Sequence, residues 1–289
     1  MKKIKTSSPT TIIMDSISKK VVRKYKKNKK TYYTKTIPEH ITLKLLDRSR
    51  VKHPKVLKNR LGYFEEEFIE GRAVNQRFDT TVLIGVLSSY IYELKTINLD
   101  AIRKYIKWNN NTEFFKFQIK KFKEYISKYK YKEKLARMGL DENLVNVFNK
   151  ATMDNNRKMY FIHGDFQKSN LLECYGVYYI LDWEYATYGD LAYEIAIHLS
   201  KEEYSEEHLK ILVDRLCGAL SLNPETFIRD IRMYNNFEKI RASFDKLNKA
   251  CELQKAKQDF RKELDEAYES YKFLANAKSK EELKQIIMS

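Results

Sequence analysis

Residues 161–199 read FIHGDFQKSNLLECYGVYYILDWEYATYGDLAYEIAIHL. Asp165 is followed five residues on by Asn170, and twelve residues after that by Asp182. Three of the chain's eight glycines, Gly164, Gly176 and Gly189, fall in this stretch. Polar, turn-prone residues sit between short apolar runs, as they do where a rigid scaffold presents charged side chains on loops. The apolar run 159–162 predicts a strand that delivers His163-Gly164-Asp165 to a turn. Residues 171–172 and 177–181 predict a hairpin around Gly176, with Asn170 at its start and Asp182 at its end. A hairpin of that length brings the two side chains together. An amide carbonyl and a carboxylate are hard oxygen donors and suit Mg²⁺. Asp165, at the loop tip, is left to face a substrate hydroxyl. A metal for the phosphates and a carboxylate for the nucleophile are what phosphoryl transfer requires.

Working outward toward the N-terminus, β-branched runs at 11–14 and 20–25 predict strands separated by the polar turn 15–18. Residues 6–10, Thr-Ser-Ser-Pro-Thr, are rich in hydroxyls and lack glycine. Pro38 suits the opening of a helix over 41–46. Two more strands are expected in 56–68, around Gly62. After Gly71 the period changes. Leu83, Val86, Leu87, Tyr90, Ile91 and Leu94 recur every three or four residues and predict a helix over 79–96, with Asp79 as its N-cap. Aromatic-rich helices are expected over 112–137 and 141–153, and further helices over 204–219, 224–250 and 256–285. Strands followed by helices indicate an α+β protein. Its small sheet-rich lobe is expected at residues 1–70 and its large, mainly helical lobe at 71–289, with the hinge at Gly71.

Composition narrows the functional classes. The chain has 289 residues and is 43% hydrophobic, enough for a substantial core. No apolar run approaches the roughly 18 residues of a membrane helix, and the N-terminus lacks an apolar signal region. Three scattered cysteines make neither a disulfide framework nor a zinc pattern, which leads to the expectation of a reduced, cytoplasmic protein. The net charge is +16. Residues 1–60 hold 19 Lys and Arg against three acids, so the whole excess lies there and the rest of the chain balances. Such a patch attracts anions: nucleotide, an acidic surface or nucleic acid. A nucleic-acid reading through residues 1–60 predicts salt-sensitive binding that survives deletion of the large lobe, and nucleic acid is not the expected partner.

His-Gly-Asp-x-x-x-x-Asn at 163–170, Asp-Trp-Glu at 182–184 and Gly-Asp-x-x-Tyr-Glu-x-Ala at 189–196 together resemble the aminoglycoside phosphotransferase and choline kinase family. These are small-molecule kinases of the protein-kinase-like, bilobal fold, and protein kinases share the Asp-to-Asn spacing. The resemblance implies that Asp165 is the catalytic base and that Asn170 and Asp182 are Mg²⁺ ligands. It also implies that His163 braces the catalytic loop and that Asp190 supports that loop from the following helix. Glu67-Phe68-Ile69-Glu70-Gly71 is similar to the family's hinge, where adenine meets the Glu67 carbonyl and the Ile69 N–H. Lys24 or Arg23 resembles the strand cation that holds the phosphates, Glu39 its partner carboxylate, and the loop containing Ser7 and Ser8 the phosphate loop. Glu184 touches metal or substrate on this view, and Lys168 reaches the γ-phosphate or solvent. Two departures stand out: the phosphate loop has no glycine, and Gln167-Lys168-Ser169 replaces the His-Pro of many relatives.

The implied donor is ATP, with GTP as the alternative, and the implied acceptor is a hydroxyl of a small molecule. The 189–196 pattern leans to an aminoglycoside-type or similar amino or polyhydroxy acceptor. Glu184-Tyr185-x-x-Tyr188 favours choline or ethanolamine, and a sugar remains an alternative. A reading of another class is a kinase-like nucleotide-binding protein that docks its basic lobe on an anionic partner. His198 and the aromatic stripe in 112–137 are expected to pack rather than react. The oligomeric state has no signal in the sequence.

Overall fold

The computed structural model describes residues 2–4, 10–15, 20–25, 37–61, 63–74, 78–95, 97–272, 274 and 277–289, with the side chains of 2–20 and 23–25 outside the description. The first lobe is built on one antiparallel sheet. Its strands are β1 (Lys2–Ile4), β2 (Thr10–Asp15), β3 (Lys20–Tyr25), β4 (Val56–Arg60) and β5 (Tyr63–Glu67), in the order β1-β2-β3-β5-β4. Strand β5 buries Phe64 and Glu66 and leaves their neighbours half-buried, the period-two alternation of a strand with one covered face. Helix α1 (Glu39–Leu46) precedes β4, with Pro38 at its N-cap and Leu43, Leu45 and Leu46 buried.

Residues 68–71 lead on from β5 to the next strand. A Cβ on Gly71 would lie 2.8 Å from the Glu173 carbonyl oxygen, so only glycine lets this segment pass this close to the strand beside it. Strand β6 (Arg72–Ala73) follows and then α2 (Thr80–Leu94), whose first turn is capped by Asp79 accepting from the N–H groups of Thr81 and Val82. Next come α3 (Asn111–Ile126), α4 (Lys132–Arg137) and α5 (Glu142–Asn146). The central stretch supplies β7 (Tyr160–Ile162), β8 (Leu171–Cys174), β9 (Val177–Ile180), β10 (Thr187–Gly189) and α6 (Leu191–Leu199). Helices α7 (Glu206–Leu220), α8 (Pro224–Lys255), α9 (Arg261–Tyr271) and α10 (Lys280–Met288) complete the chain. Strands β6, β8 and β9 form one small antiparallel sheet, and β7 pairs with β10.

Two features hold residues 160–199 in place. Helix α6 is buried from Leu191 through His198, as befits a helix enclosed on all sides. Helix α8 packs on it and also meets α3 through rings: Phe115 lies edge-on to Tyr234 and Phe237, and Phe122 edge-on to Phe237 and Phe244. The aromatic stripe is thus helix-to-helix packing, as expected. The helices expected over 112–137 and 256–285 are each broken in two, and the one over 141–153 shrinks to α5. Strands β6 and β10 have two and three residues, too short for a periodic signal. Among the described residues no helix is long and apolar enough to cross a membrane.

Candidate active site

Strand β7 ends at Ile162, and the next three residues turn sharply. Gly164 has φ +76°, and a Cβ there would lie 2.5 Å from the Tyr185 carbonyl oxygen, so both backbone and space demand glycine. His163 is fully buried. Its Nδ1 accepts from the Asp165 N–H at 3.1 Å and its Nε2 lies 2.8 Å from the Leu181 carbonyl oxygen, which assigns the proton to Nε2. Burial pushes its pKa down to about 4, so the ring is a neutral strut joining the loop to the end of β9. Glu194 on α6 clamps the same turn. It accepts the Gly164 N–H at 2.7 Å and the Tyr90 hydroxyl, and burial pushes its carboxyl up to about 7.

Asp165 is presented at the loop tip. Its Oδ2 accepts from Gln167 Nε2 and Asn170 Nδ2, both at 3.2 Å. The Asn170 amide nitrogen also donates to the Asp165 carbonyl at 2.9 Å, which leaves the Asn170 carbonyl oxygen as the atom it can offer a metal. Residues 171–180 form the expected hairpin. Leu171 pairs with Ile180, and the Leu181 N–H donates to the Asn170 carbonyl at 2.8 Å. Asp182 follows at φ +60°, ψ +57°, a left-handed conformation that Asp tolerates better than most residues. That kink separates β9 from the turn 183–185, against which α1 packs.

There the carboxylates of Glu39, Asp182 and Glu184 offer oxygens that all lie within 4.8 Å of one another. Glu39 and Glu184 are buried. Like charges this close raise one another's energy unless a cation sits with them. Oxygen donors, chiefly carboxylate, are the set Mg²⁺ prefers, so the residues fit that ion.

The opposite side of Asp165 is occupied by the chain itself. Lys201, just past the end of α6, places its ammonium on Asp165 Oδ1. Burial, and then the charge of Arg241, lower its pKa to about 8, opposed by Glu238 and Glu202. Glu238 and Arg241 form an ion pair one turn apart on α8. Glu202 accepts the Lys168 N–H at 2.7 Å and lies 3.4 Å from the Lys168 ammonium.

With this geometry in view, similarity to known proteins is informative. The sequence profile of choline/ethanolamine kinases matches residues 4–211, well over half of the chain. The chain belongs to the choline/ethanolamine kinase family. A LicA homologue of Mycoplasma capricolum is 28% identical over 122 residues, 40% of this chain and 49% of that protein, so the match spans about half of the relative's length. Plasmodium vivax ethanolamine kinase has the same fold at TM-score 0.65 and 15% identity, covering 85% of this chain and 75% of that one. An aminoglycoside phosphotransferase solved with streptomycin and ATP superposes at TM-score 0.61 and 13% identity, with 84% of each chain covered. The protein-kinase-like bilobal fold is therefore shared with both branches.

Within this choline/ethanolamine kinase frame the expected residues fall into three groups. His163, Asp165, Asn170, Asp182 and Glu184 are brought into one site, and Glu39 joins them by lying against Asp182 and Glu184. Along residues 67–71, the Glu67 N–H donates to the Lys55 carbonyl at 2.9 Å, whereas nothing among the described residues accepts the Ile69 N–H. Ser7 and Ser8 lie outside the described residues. Arg23 and Lys24 pair in the backbone with Phe64 and Tyr63, and their side chains lie outside the description. Lys168, expected at phosphate or solvent, is tied to Glu202. Asp190 sits at the start of the following helix. It caps α6 at the Ala192 N–H and binds Arg157 and Tyr234, and Glu194 on the same helix bonds the Gly164 N–H of the turn. His198 is buried between the Phe166 carbonyl and the Tyr204 hydroxyl. The sequence reading missed Glu194 as a clamp and Lys201 altogether. Glu194 lay inside the quoted motif, whereas Lys201 carried no signal that set it apart from other lysines.

Proposed function

We propose that this family member transfers the γ-phosphoryl group of ATP to the hydroxyl of a small amino alcohol of the choline or ethanolamine kind, with GTP as the alternative donor. One observation carries this: the loop-tip carboxylate of Asp165 shares a site with Asn170 and with the mutually close carboxylates of Glu39, Asp182 and Glu184. Asp165 orients the acceptor hydroxyl and takes its proton as the oxygen bonds to the γ-phosphorus. The bond from that phosphorus to the bridging oxygen breaks, and the nucleoside diphosphate leaves. Mg²⁺ would be held by Asp182 and Asn170, with Glu184 and Glu39 beside them, and when bound it offsets the charge of the phosphates. Arg23 or Lys24 on β3 holds those phosphates from the small lobe, with Ser7 and Ser8 in the loop above them. Adenine lies against residues 67–71, where the Ile69 N–H is available.

The family match favours an amino alcohol over the aminoglycoside-type acceptor to which the motif around 189–196 leaned. The structural likeness to aminoglycoside phosphotransferases keeps that acceptor as the second reading. An acceptor panel of choline, ethanolamine, aminoglycosides and sugars, read as ADP release above the acceptor-free blank, tests the choice. Asp165→Asn should lower the acceptor-dependent rate roughly a thousandfold, within the span of general-base contributions, with nucleotide affinity retained. Wild-type turnover by that variant would remove Asp165 from the mechanism.

A further inference from the structure

Both oxygens of the Asp165 carboxylate are engaged before any acceptor arrives. Oδ2 receives Gln167 and Asn170, and Oδ1 carries the Lys201 ammonium. The two Oδ2 donors belong to the catalytic loop itself and set the carboxylate's orientation. Lys201 does not belong to that loop. It arrives from the turn after α6, where its backbone N–H is fixed on the His198 carbonyl at 3.0 Å. Its ammonium covers the Oδ1 side of the Asp165 carboxylate.

The surroundings offer that ammonium a second seat. Glu238 is almost completely buried, yet its Oε1 has no hydrogen-bond partner among the described residues, while the other oxygen meets Arg241. Glu238 and Glu202 both act on the Lys201 charge. A lysine side chain has a flexible four-carbon stem and carries a point charge, so it can leave one carboxylate for another without moving the backbone.

We propose that Lys201 is a positioning residue that keeps the Asp165 carboxylate from activating water until an acceptor alcohol displaces it toward Glu238. The inference rests on the phosphotransferase reading. A kinase whose base stood open to solvent would hydrolyse its donor. Water oxygen would bond to the γ-phosphorus, the bridging P–O bond would break with its electrons leaving on the nucleoside diphosphate, and the water proton would pass to Asp165. An ammonium on Oδ1 denies water that lone pair. An acceptor held by further contacts in the pocket can compete with the ammonium where a lone water cannot.

The test needs no knowledge of the acceptor. ATP and Mg²⁺ alone are given to the full-length protein, and phosphate release is followed in wild type, Lys201→Met, Lys201→Gln and Lys201→Arg. Thermal unfolding checks that each variant is folded. Removing the charge should raise acceptor-free hydrolysis roughly tenfold, a fraction of what a freed general base supplies. Lys201→Arg, which keeps a cation on the carboxylate, should stay near wild type, and the double variant Lys201→Met, Asp165→Asn should return to the blank. Hydrolysis unchanged in folded Lys201→Met and Lys201→Gln overturns the proposal. So does a rise in Lys201→Arg equal to that in Lys201→Met, or hydrolysis that survives in the double variant. Transfer by the wild type to one of the panel acceptors, alongside an unmoved Lys201→Met, defeats the gate alone. Failure of every acceptor, with ATP turnover indifferent to Asp165→Asn, defeats the phosphotransferase reading and the gate with it.

Discussion

Around Arg157, carboxylates meet a guanidinium; at Asp182, carboxylates meet one another. Arg157 Nε and Nη2 reach the two oxygens of Asp190 at 2.9 and 2.8 Å, and Nη2 also reaches Asp230 at 2.7 Å. Tyr234 adds a hydroxyl to Asp190 and Arg229 a second cation to Asp230. Burial works against the charge of Arg157, but Asp190 and Asp230 outweigh it and hold the guanidinium ionised. This cluster ties the 154–157 loop to α6 and α8 using charges that the chain itself supplies. Glu39, Asp182 and Glu184 come from the opposite principle, three oxygens of like charge within 4.8 Å. A cluster that is complete within the chain reads as scaffold. On the proposed function, the cluster of like sign is where the metal that accompanies the phosphates would sit.

The contrast can be broken by substitution, and the largest effect is expected on the scaffold side. Arg157→Met leaves Asp190 and Asp230 buried without their shared cation and should cost roughly 3–5 kcal/mol. Denaturant unfolding measures it, and a loss no larger than that of a surface substitution would mean that the cluster does not hold the lobe together. Asp182→Asn should do the reverse. Stability should stay within about 1 kcal/mol of wild type, because a carboxylate repulsion is relieved, while acceptor-dependent turnover falls about a hundredfold or more. Equal damage to both properties would erase the distinction. Glu184→Gln sharpens it on a smaller scale. Its weaker claim on the metal predicts a loss of about tenfold in apparent Mg²⁺ affinity, read from turnover against Mg²⁺ concentration.

A last test concerns Glu194, the clamp on α6. Its carboxyl is pushed up to about 7 by burial, from 4.5 in the unfolded chain, in spite of the bonds from Tyr90 and Gly164. Between those values the folded state keeps a proton that the unfolded state has released. Stability from this group therefore falls as pH rises from about 4.5 to about 7 and is level above that. Unfolding across pH 4.5–8 should show the slope in wild type and a flatter profile in Glu194→Gln.

The sequence was most legible where chemistry and local geometry coincide. The Asp165–Asn170–Asp182 spacing needs only one turn and one hairpin to become a site, and both are short-range structures. Helix α2 was legible for the same reason, since its cap at Asp79 and its apolar stripe are local. The splitting of the expected helices over 112–137 and 256–285 was not, because where a helix-compatible run breaks is set by tertiary contacts such as that of Tyr129 with Phe244. The partners of Asp190, Arg157 and Tyr234, were not legible because they are far away in sequence.

By itself, then, the chain's sequence determined the two-lobe α+β plan, the helix at α2 and the hairpin that joins Asn170 to Asp182. Each depends on periodicity, turn chemistry or a spacing within about twenty residues. Tertiary structure alone decided that Glu39 joins Asp182 and Glu184, that Glu194 clamps the turn at Gly164, and that Lys201 rests on Asp165. These are contacts between side chains separated by 30 to more than 140 positions. Their partners are chosen by how the lobes and helices pack, and no local pattern in the chain encodes that choice.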